Sequence, residues 1–539
     1  MISCREACIP YPIFTMQTNS YLQKFAKDRP LGQLNAGAVA FYASLDNVAS
    51  VSPLIAENIL KELEDQRSRL KLIASENYCS LAVQQAMGNL LTDKYSEGVP
   101  GARFYAGCEN VDVIEAEAAR LACELFGADH AYMQPHSGAD ANIVAFVAVL
   151  AARVHRGFID KYNSVVAAAA ATGTAERKEA GTGEQVAGAA GKEIVKDIRG
   201  LSEEDWQKLR HESLNQRMMA LDIGSGGHLT HGYRMNISAT LFEAHQYSVS
   251  KETGVLDYAE IRRMALEVKP LLLLAGYSAY PRKINFAEMR RIADEVGAVL
   301  MVDMAHFAGL VAGKVFTGEF DPIAYADIVT STTHKTLRGP RGGMVLCRKW
   351  LAEFVDKGCP SVLGGPLPHV MAAKAVAFQE ALRPEFRDYA AQIVKNAQAL
   401  AAACMEEGMK VLTNGTDNHL LQLDVYSSFG LTGRQAEDAL RECGLTMNRN
   451  SLPFDVNGVW YTSGLRLGTP ALTTLGMKEA EMKLVASMIK RSLSATKPGV
   501  GKDGAKSLAK YELDSSARDT IRAEAAELLK KFRLYPELD

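Results

Sequence analysis

The stretch Asp327-Ile-Val-Thr-Ser-Thr-Thr-His-Lys-Thr-Leu-Arg-Gly-Pro-Arg-Gly-Gly343 decides how this chain folds. It starts as an apolar β-branched run, turns polar at Ser331, and then places Lys335 between hydroxyl groups and a glycine-rich turn. We expect a buried strand that ends in this lysine, whose amine can form an imine with an aldehyde cofactor. The hydroxyls of Thr332 and Thr333 can bond the oxygens of such a cofactor. Taken alone, the motif also fits a surface lysine at the end of a strand.

Four other stretches supply the remaining groups that a pyridoxal phosphate (PLP) site needs. The apolar run that ends in Asp303 offers a carboxylate, which would keep the pyridine nitrogen protonated. Residues 137–139 open an apolar helical stretch, and the N-terminus of a helix favours a phosphate. His228 lies on a glycine-rich turn and supplies a ring for stacking. Arg466 can grip a substrate carboxylate with two parallel hydrogen bonds.

Seven motifs together closely resemble the serine hydroxymethyltransferase family, and they occur in the family's order. They are residues 71–78, 94–98 with 100–105, 134–142, 226–232, 302–306, 332–336 with 339–343, and 462–470. One such motif is weak support, whereas seven in register are strong support. The Thr-Thr-His-Lys and Ser-Glu-Asn-Tyr motifs separate this family from aminotransferases.

The resemblance implies an α/β fold of the fold-type I PLP-dependent transferase class, which is aspartate-aminotransferase-like. A large, mainly parallel-sheet domain would carry a smaller C-terminal α+β domain. The implied activity is the reversible conversion of L-serine and tetrahydrofolate to glycine and 5,10-methylene-tetrahydrofolate through a PLP external aldimine. A folate-independent PLP aldolase, similar to threonine aldolase, is the alternative, since it needs the same lysine and arginine but no folate site. A catalytically silent scaffold or RNA-binding protein is a third hypothesis, against which the complete catalytic set argues.

The resemblance also assigns roles to matching positions of this chain. The implied catalytic residues are Lys335, Glu97, His228, Asp303 and Tyr105. The implied PLP contacts are Ser137, Gly138, Ala139, His228, Ser278, Asp303, His306, Thr332, His334, Lys335, Tyr95 and Gly365. The implied substrate contacts are Ser75, Glu97, Tyr105 and Arg466, and the implied folate contacts are Ile223, Gly227, Leu229 and Asn450. No metal is expected.

Some of these residues would act on a neighbouring subunit. In the resembling enzymes the positions of Tyr95, Glu97, Tyr105 and the turn at 364–365 come from the other subunit, with Glu97 as the acid/base candidate. The resemblance therefore implies a homodimer or tetramer with shared active sites.

Three positions depart from the family's pattern. Leu363 stands where the family usually has Gln, and Phe104 stands where many members have Tyr. Residues 458–460, Gly-Val-Trp, replace a more usual Ser-Pro-Phe. These changes put a partner-subunit contact and the affinity for folate in question.

Length and composition favour a multidomain enzyme. The chain has 539 residues, with 47% hydrophobic and 23% charged content, which are ordinary globular values. A net charge of −3 gives no general reason to expect nucleic acid or membrane partners. Nine scattered cysteines without a CxxC pair fit a reducing cytosol, and no run approaches the length of a transmembrane helix. We expect a cytoplasmic protein.

The pattern along the chain suggests four segments. We expect an N-terminal extension at 1–50, a helix with a dimer and active-site arm at 51–109, a large PLP-binding domain at 110–368 and a small domain at 369–539. About seventy residues, at about 151–217, are an insertion relative to the family. We interpret it as a surface feature, with a regulatory or partner-binding role as the alternative. Its residues 167–191 are rich in Ala, Gly and Thr and are expected to be mobile.

Apolar runs and caps predict the individual elements. Strands are expected at 218–222, 271–275, 298–303, 328–330, 422–425 and 465–467. Helices are expected at 52–67, 201–211, 261–268, 286–296, 370–405, 433–443, 478–493 and 517–532. In the insertion helix, Ser202 would be the N-cap, and Trp206 and Leu209 would dock on the body. Residues 495–507 are expected to be a linker, and Ser515 or Ser516 would cap the last helix.

Overall fold

The computed structural model describes residues 20–171, 192–501 and 504–539. Its strands of three or more residues are β1 His130–Tyr132, β2 Arg217–Leu221, β3 Glu243–Tyr247, β4 Leu272–Gly276, β5 Val299–Asp303, β6 Ile328–Thr332, β7 Gly343–Cys347, β8 Leu420–Asp424, β9 Asn448–Asn450, β10 Gly464–Gly468, β11 Thr496–Val500 and β12 Lys506–Leu513. Its α-helices are Tyr21–Ala26, Ala36–Val51, Pro53–Ser68, Leu81–Met87, Glu109–Phe126, Gly138–Leu150, Arg156–Ala171, Glu203–Leu214, Ile237–Leu241, Tyr258–Val268, Phe286–Val296, Ala308–Ala312, Pro322–Tyr325, Ala352–Val355, Gly358–Ser361, Pro368–Ala381, Pro384–Glu406, Val425–Phe429, Gly433–Glu442, Gly458–Tyr461, Pro470–Thr474, Glu479–Ser494 and Ser515–Lys531.

A seven-stranded sheet in the order β1-β7-β6-β5-β4-β2-β3 organises the large part of the chain. Neighbours from β6 through β3 pair in parallel, and β7 runs antiparallel to both β6 and β1. Every residue of β4, β5, β6 and β7 is buried, because helices cover both faces of the sheet. This confirms the predicted strands and the mainly parallel sheet. The carboxyl ends of the parallel strands meet at one edge, where such sheets bind ligands.

Alternate residues of the central strands build two separate cores, one on each face of the sheet. Leu273 and Leu300 lie in the core that contains helices Glu109–Phe126 and Phe286–Val296. On the opposite face, Leu274 packs in the core that contains helix Gly138–Leu150. The period of two along each strand therefore fixes which helices cover which face.

A third core belongs to the C-terminal part of the chain. Strands β8, β10 and β9 form an antiparallel sheet, which packs with helices Pro384–Glu406 and Glu479–Ser494. Leu70 and Leu72 from the N-terminal region also pack in this core, and residues 70–71 pair in parallel with residues 445–446. The predicted strands and helices of this region are present within a few residues.

Three C-terminal predictions were wrong in detail. The helical segment expected at 370–405 is two helices, because Pro384 begins a new helix after a break. The expected linker at 495–507 contains β11 and the start of β12, which pair as an antiparallel hairpin. Asp514, and not Ser515 or Ser516, caps the last helix, since its side chain accepts the N–H of Ala517 at 2.8 Å.

The N-terminal region is more ordered than its weak pattern suggested. Helix Ala36–Val51 is capped by Asn35 and packs against the end of the chain. Tyr42 donates its hydroxyl proton to the carbonyl of Leu538 at 2.6 Å, and its ring stacks on Phe25. Residues 1–19, the first part of the expected N-terminal extension, lie outside the described residues.

The insertion begins as a continuation of a core helix. Helix Gly138–Leu150 passes through a π-helical turn, Ala151–His155, into helix Arg156–Ala171. Helix Glu203–Leu214 follows, with Ser202 as its N-cap, Leu209 fully buried and Trp206 partly buried against the same core. The predicted cap and docking residues are confirmed. The expected mobility of 167–191 falls mostly on residues 172–191, outside the described residues.

One helical stretch of the described chain, Gly138–Ala170, is long and apolar enough to cross a membrane by length and composition. The sequence prediction that no run approaches this length was therefore wrong. Half of the apolar window is buried inside the protein, and Val144, Phe146 and Val149 pack on the central sheet. Its first part, Gly138–Leu150, is a core helix.

Candidate active site

The sheet brings Lys335 and Asp303 to the same edge. Lys335 lies three residues after β6, and Asp303 is the last residue of the neighbouring parallel strand β5, in register with Thr330. Burial lowers the pKa of Lys335 to about 8, an effect that the carboxylate of Asp303 opposes and the guanidinium of Arg466 reinforces. An amine with this pKa is a better nucleophile near neutral pH than an ordinary lysine.

Asp303 is held ionised by its neighbours. Its Oδ2 accepts hydrogen bonds from Asn142 Nδ2 at 2.9 Å and His231 Nε2 at 3.3 Å, and its Oδ1 accepts the N–H of Ala305 at 3.0 Å. Burial alone would raise the pKa of Asp303, but the hydrogen bond and charge of His231, with smaller contributions from His228 and Asn142, hold it well below its ordinary value. The site therefore presents a fixed negative charge at its floor.

His228 is fixed in one tautomer by Thr230. Its Nδ1 lies 2.7 Å from Thr230 Oγ1 and accepts the N–H of Thr230 at 3.2 Å, so its ring proton sits on Nε2. Asn142 Nδ2 also donates to Thr230 Oγ1, at 2.7 Å, which links the ring of His228 to the carboxylate of Asp303 through Thr230 and one amide. Burial lowers the pKa of His228 to about 4, so the imidazole is neutral near pH 7.

Residues 137–139 open a helix, as predicted. Ser137 is the N-cap of helix Gly138–Leu150 and accepts the N–H of Asp140 at 3.2 Å. The backbone here packs closely on the lysine strand, because a Cβ on Gly138 would lie 2.7 Å from Thr332 Cγ2 and a Cβ on Gly343 would lie 2.1 Å from the Ser137 carbonyl. The turn is thus a tight cradle with free N–H groups, of the kind that binds phosphate. We call residues 137–139 the phosphate turn.

Arg466 is a half-buried cation whose guanidinium faces the site. It lies on β10, donates from Nε to Asn448 Oδ1 at 3.2 Å and from Nη1 to the carbonyl of Ser278 at 2.7 Å. Burial lowers its pKa to about 10. Among the residues that the structure describes, no carboxylate lies within 4 Å of it, which leaves a half-buried positive charge for an anionic ligand. Gly468 lies two residues after Arg466 on β10, and a Cβ there would lie 2.4 Å from Ala74 Cα. This close approach places Ser75, the next residue, near the strand that carries Arg466.

Two further histidines line the same region. His306 Nδ1 and His419 Nε2 lie 3.1 Å apart, and both rings are buried. Burial lowers the pKa of His419 to about 3 and that of His306 well below its ordinary value, so the pair is neutral. Burial also lowers the pKa of His334 to about 3, and its Nδ1 is buried without a protein partner.

The hydroxyls of Thr332 and Thr333, near Lys335, have different surroundings. Thr332 Oγ1 donates to the Ala305 carbonyl at 3.3 Å, beside Asp303. Thr333 was expected to bond the cofactor, and this was wrong, because its side chain is fully buried and donates to the Pro340 carbonyl at 2.6 Å. We call Lys335, Asp303, His228, His306 and Arg466, with their contacts, the lysine cluster.

Tyr95, Glu97, Tyr105 and Gly365 form a second group, which we call the arm cluster. Tyr95 donates to Glu97 Oε1 at 3.2 Å, and its ring lies edge-on to that of Tyr105 at 4.7 Å. A Cβ on Gly365 would lie 3.4 Å from Tyr95 Cζ. Tyr95 and Tyr105 are 53% and 46% exposed, and no described contact joins this group to the lysine cluster of the same chain.

A buried polar network supports the arm cluster from beneath. Arg103 donates to the carbonyls of Ser96 and Gly98, both at 2.8 Å, and pairs with Glu115 at 2.6 Å. Gln134 donates to Glu115 and to the Gly98 carbonyl, both at 2.7 Å. The arm is therefore attached to the segment that leads into the phosphate turn.

Comparison with known proteins fixes the family of this chain. A family model described as serine hydroxymethyltransferase matches residues 48–157 and 211–489. The chain is 56% identical to serine hydroxymethyltransferase of Treponema pallidum (strain Nichols) over 521 residues, which are 97% of this chain and 85% of that protein. It is 54% identical to serine hydroxymethyltransferase of Salinispora tropica over 505 residues, which are 94% of this chain and 99% of that protein. For the protein of that name from Cutibacterium acnes, identity is 52% over 502 residues, which are 93% and 96% of the two chains.

The chain belongs to the serine hydroxymethyltransferase family. Its fold is accordingly that of a fold-type I PLP-dependent enzyme, and the seven-stranded sheet is the PLP-binding sheet of that class. The serine hydroxymethyltransferase model leaves residues 158–210 unmatched, and these coincide with the insertion expected at about 151–217. The aligned span with the Treponema pallidum protein runs across them.

The residues expected to contact folate lie in the turn after β2 and at the end of β9. Gly227 is buried, and a Cβ there would lie 2.0 Å from the Leu221 carbonyl, whereas Leu229 is 46% exposed. Asn450 donates to the Ser451 carbonyl at 2.7 Å. Ile223 is half-buried in the same turn. A cavity of about 320 Å³ opens beside these residues, between segments 222–225 and 451–459.

The three departures from the serine hydroxymethyltransferase pattern have different surroundings. Leu363 is 5% exposed and packs in the core beneath helix Gly138–Leu150, where a glutamine would bury an amide. Phe104 is 67% exposed beside the arm cluster. Trp460 is 62% exposed, and the Arg449 guanidinium lies 5.8 Å from its ring centre.

Reasoning from residue types missed four functional neighbours. They are Asn142 and His231, which hold Asp303, Thr230, which sets His228, and His419, which pairs with His306. The first three lie inside quoted motifs, so their polar side chains on an otherwise apolar background were a usable signal. His419 is 113 residues from His306, and nothing local joins them.

Proposed function

We propose that the lysine cluster holds PLP and carries out the reaction of the serine hydroxymethyltransferase family. As a member of that family, the chain is a PLP-dependent transferase that interconverts serine and glycine with tetrahydrofolate as cosubstrate. The observation that supports this placement most is the convergence of a half-buried amine, a buried carboxylate and a half-buried guanidinium that lacks a carboxylate partner among the described residues. Together they match the aldehyde, the ring nitrogen and the substrate carboxylate.

Each charged member of the lysine cluster has one proposed task. Lys335 holds the cofactor covalently, and its lowered pKa keeps a useful fraction of the amine neutral. Asp303, held ionised by His231 and Asn142, keeps the pyridine nitrogen protonated. Arg466 binds the substrate carboxylate, with Ser75 nearby. Its hydrogen bonds to Asn448 and to the Ser278 carbonyl orient the guanidinium. When bound, PLP supplies the electron sink that stabilises the carbanion left by Cα–Cβ cleavage.

The neutral groups would position the cofactor. Ser137, Gly138 and Ala139 take the phosphate at the helix N-terminus, which is a favourable place for an anion. His228 stacks on the cofactor ring. Because Thr230 bonds its Nδ1, the Nε2–H of His228 is a donor on the opposite side of the imidazole. Proposed further contacts are His306, Thr332, His334 and Ser278.

The arm cluster would serve the active site of a neighbouring subunit, in a homodimer or tetramer. Its exposed tyrosines, its carboxylate and its separation from the lysine cluster support this proposal. Glu97 would move a proton at the substrate hydroxyl, Tyr95 and Gly365 would reach the cofactor, and Tyr105 would border the substrate. Tetrahydrofolate would lie against Ile223, Gly227, Leu229 and Asn450.

We also propose a cytoplasmic location, a large PLP-binding domain at 110–368 and a small domain at 369–539. Membrane and nucleic-acid partners form no part of the proposal. The separate C-terminal core supports the second boundary. The names and identities of the relatives favour serine hydroxymethyltransferase over the folate-independent aldolase.

Glycine formation from serine tests the proposal directly. Purified, PLP-loaded protein should form glycine rapidly only when tetrahydrofolate is present. Equal rates with and without tetrahydrofolate would instead show the aldolase. No glycine under either condition, in a protein that carries PLP, would point to a silent scaffold.

A further inference from the structure

One buried lysine has no task in the reaction described so far. Lys374 lies within helix Pro368–Ala381 and is 1% exposed. Its Nζ donates to the carbonyls of Met133 at 2.7 Å, Pro135 at 3.1 Å and Gly343 at 2.7 Å. Three acceptors match the three N–H groups of an ammonium, so the geometry fits the charged amine. None of the described carboxylates lies within 4 Å of it, and the cation is bound by backbone alone.

The three carbonyls belong to the two segments that meet at the phosphate turn. Met133 and Pro135 lie between β1 and Ser137, and Gly343 is the first residue of β7. Gly343 donates its N–H to the Pro135 carbonyl at 3.0 Å. The Ser137 carbonyl lies only 2.1 Å from where a Cβ on Gly343 would be. The ammonium therefore fastens both segments directly behind the turn.

A buried cation is an expensive way to hold two loops together. An apolar side chain of similar length would fill the space without the desolvation cost of a charge. Burial lowers the pKa of Lys374 to about 7, and the carboxylate of Glu115 opposes this. The three carbonyl acceptors favour the charged amine against this desolvation cost, and an anion bound nearby would favour it further.

We propose that Lys374 is a positioning residue for the phosphate group of PLP. It fixes the backbone of the phosphate turn through three carbonyls and places a positive charge behind it, without touching the cofactor. This inference rests on the proposed function, which puts the phosphate at residues 137–139.

Pyridoxal has the same ring and aldehyde as PLP but no phosphate. Comparing the affinities for the two compounds therefore isolates the contribution of the phosphate group to binding. The protein stripped of cofactor is titrated with each compound, and attachment to Lys335 is followed by absorbance. In Lys374→Met the affinity for PLP should fall by about ten-fold or more, because charge-assisted hydrogen bonds that hold the turn are lost. The affinity for pyridoxal should stay within about three-fold, since it does not use the turn.

A second variant tests the same contact without removing the charge. A Cβ on Gly342 would lie 2.6 Å from Lys374 Cε, so Gly342→Ala should push the flexible amine off its carbonyls. This variant should also lose affinity for PLP more than for pyridoxal, and it is decisive if Lys374→Met does not fold. Asn396→Leu is the matched control, because it deletes a buried amide that bonds Thr473 and Met477 in the C-terminal core. Its preference for PLP should equal that of the wild type.

The outcomes separate this inference from the proposed function. An unchanged ratio of PLP to pyridoxal affinity in the folded lysine and glycine variants, or an equal loss for both compounds, would overturn the role of Lys374. Failure of PLP to attach to wild-type Lys335 would overturn the proposed function itself.

Discussion

The lysine cluster and the arm cluster are built in opposite ways within one chain. The first is buried or half-buried, and its charges are fixed by Asn142 and His231 or held by neighbouring carbonyls. The second is half exposed, and Tyr95 and Glu97 bond mainly to each other. The difference supports the proposal that each chain supplies most of its own cofactor pocket, whereas its arm cluster, with the acid/base group Glu97, completes the site of another chain.

Removing the centre of the lysine cluster should have the largest effect. Lys335→Ala should abolish covalent attachment of PLP and reduce serine turnover below detection, because it removes the amine that lies at the sheet edge with Asp303. Borohydride reduction of the PLP-loaded wild type followed by peptide mapping should label Lys335. A label on any other lysine would remove the basis of the lysine cluster.

Disabling the acid/base group of the arm cluster should come next. Glu97→Gln keeps size and hydrogen bonding but cannot move a proton, and loss of such help typically costs about 10²–10⁴-fold. Folate-dependent turnover should fall by that order while PLP and glycine still bind. Glu109→Gln, an exposed glutamate on the helix after the arm, is the control and should be unaffected. An unaltered rate in Glu97→Gln would assign the proton to another group.

Arg466→Lys should separate substrate binding from cofactor binding. The lysine keeps a positive charge but loses the two-pronged grip, so KM for serine should rise by roughly 10–100-fold. PLP attachment should change little, because Arg466 lies on β10 and not on the central sheet. Steady-state kinetics with the absorbance spectrum measures both, and Arg262→Lys, an exposed ion-paired arginine, serves as control. A loss of PLP affinity as large as the rise in KM for serine would contradict the role of Arg466 in binding the substrate carboxylate.

The pH dependence of PLP attachment should give the smallest effect. Only the neutral amine attacks the aldehyde, and burial lowers the pKa of Lys335 to about 8. The rate should therefore rise as pH increases to about 8 and level off above it, with about a ten-fold gain between pH 7 and pH 9. An ordinary lysine would gain about 100-fold over the same range without levelling off. Stopped-flow absorbance on cofactor-free protein distinguishes the two curves.

Sequence patterns predicted the sheet edge well because its geometry follows from local rules. Apolar runs that end in Asp303 and at Thr332 are buried parallel strands, and parallel strands end at one edge. The glycines and the cap before helix Gly138–Leu150 likewise predicted the phosphate turn. These features need only a few neighbouring residues and the strand order.

Other features depend on contacts that no local pattern contains. Helix Ala36–Val51 is fixed by Tyr42 bonding Leu538, 496 residues away. Lys374 resembles a surface lysine on an alanine-rich helix, and only the folded chain shows its three carbonyl partners. The partner of the arm cluster lies outside a single chain altogether, so its proposed role came from family resemblance.

Mixing two inactive variants tests most directly whether the lysine cluster of one chain and the arm cluster of another form one active site. Lys335→Ala and Glu97→Gln chains, co-expressed with different tags, should assemble at random into two-fold symmetric pairs. In each mixed pair one site combines an intact Lys335 with an intact Glu97 from the other chain. Mixed populations should therefore recover about one quarter of the wild-type turnover. If the recovered activity does not exceed that of the separate variants, both residues act within one chain and the account of a shared site is wrong.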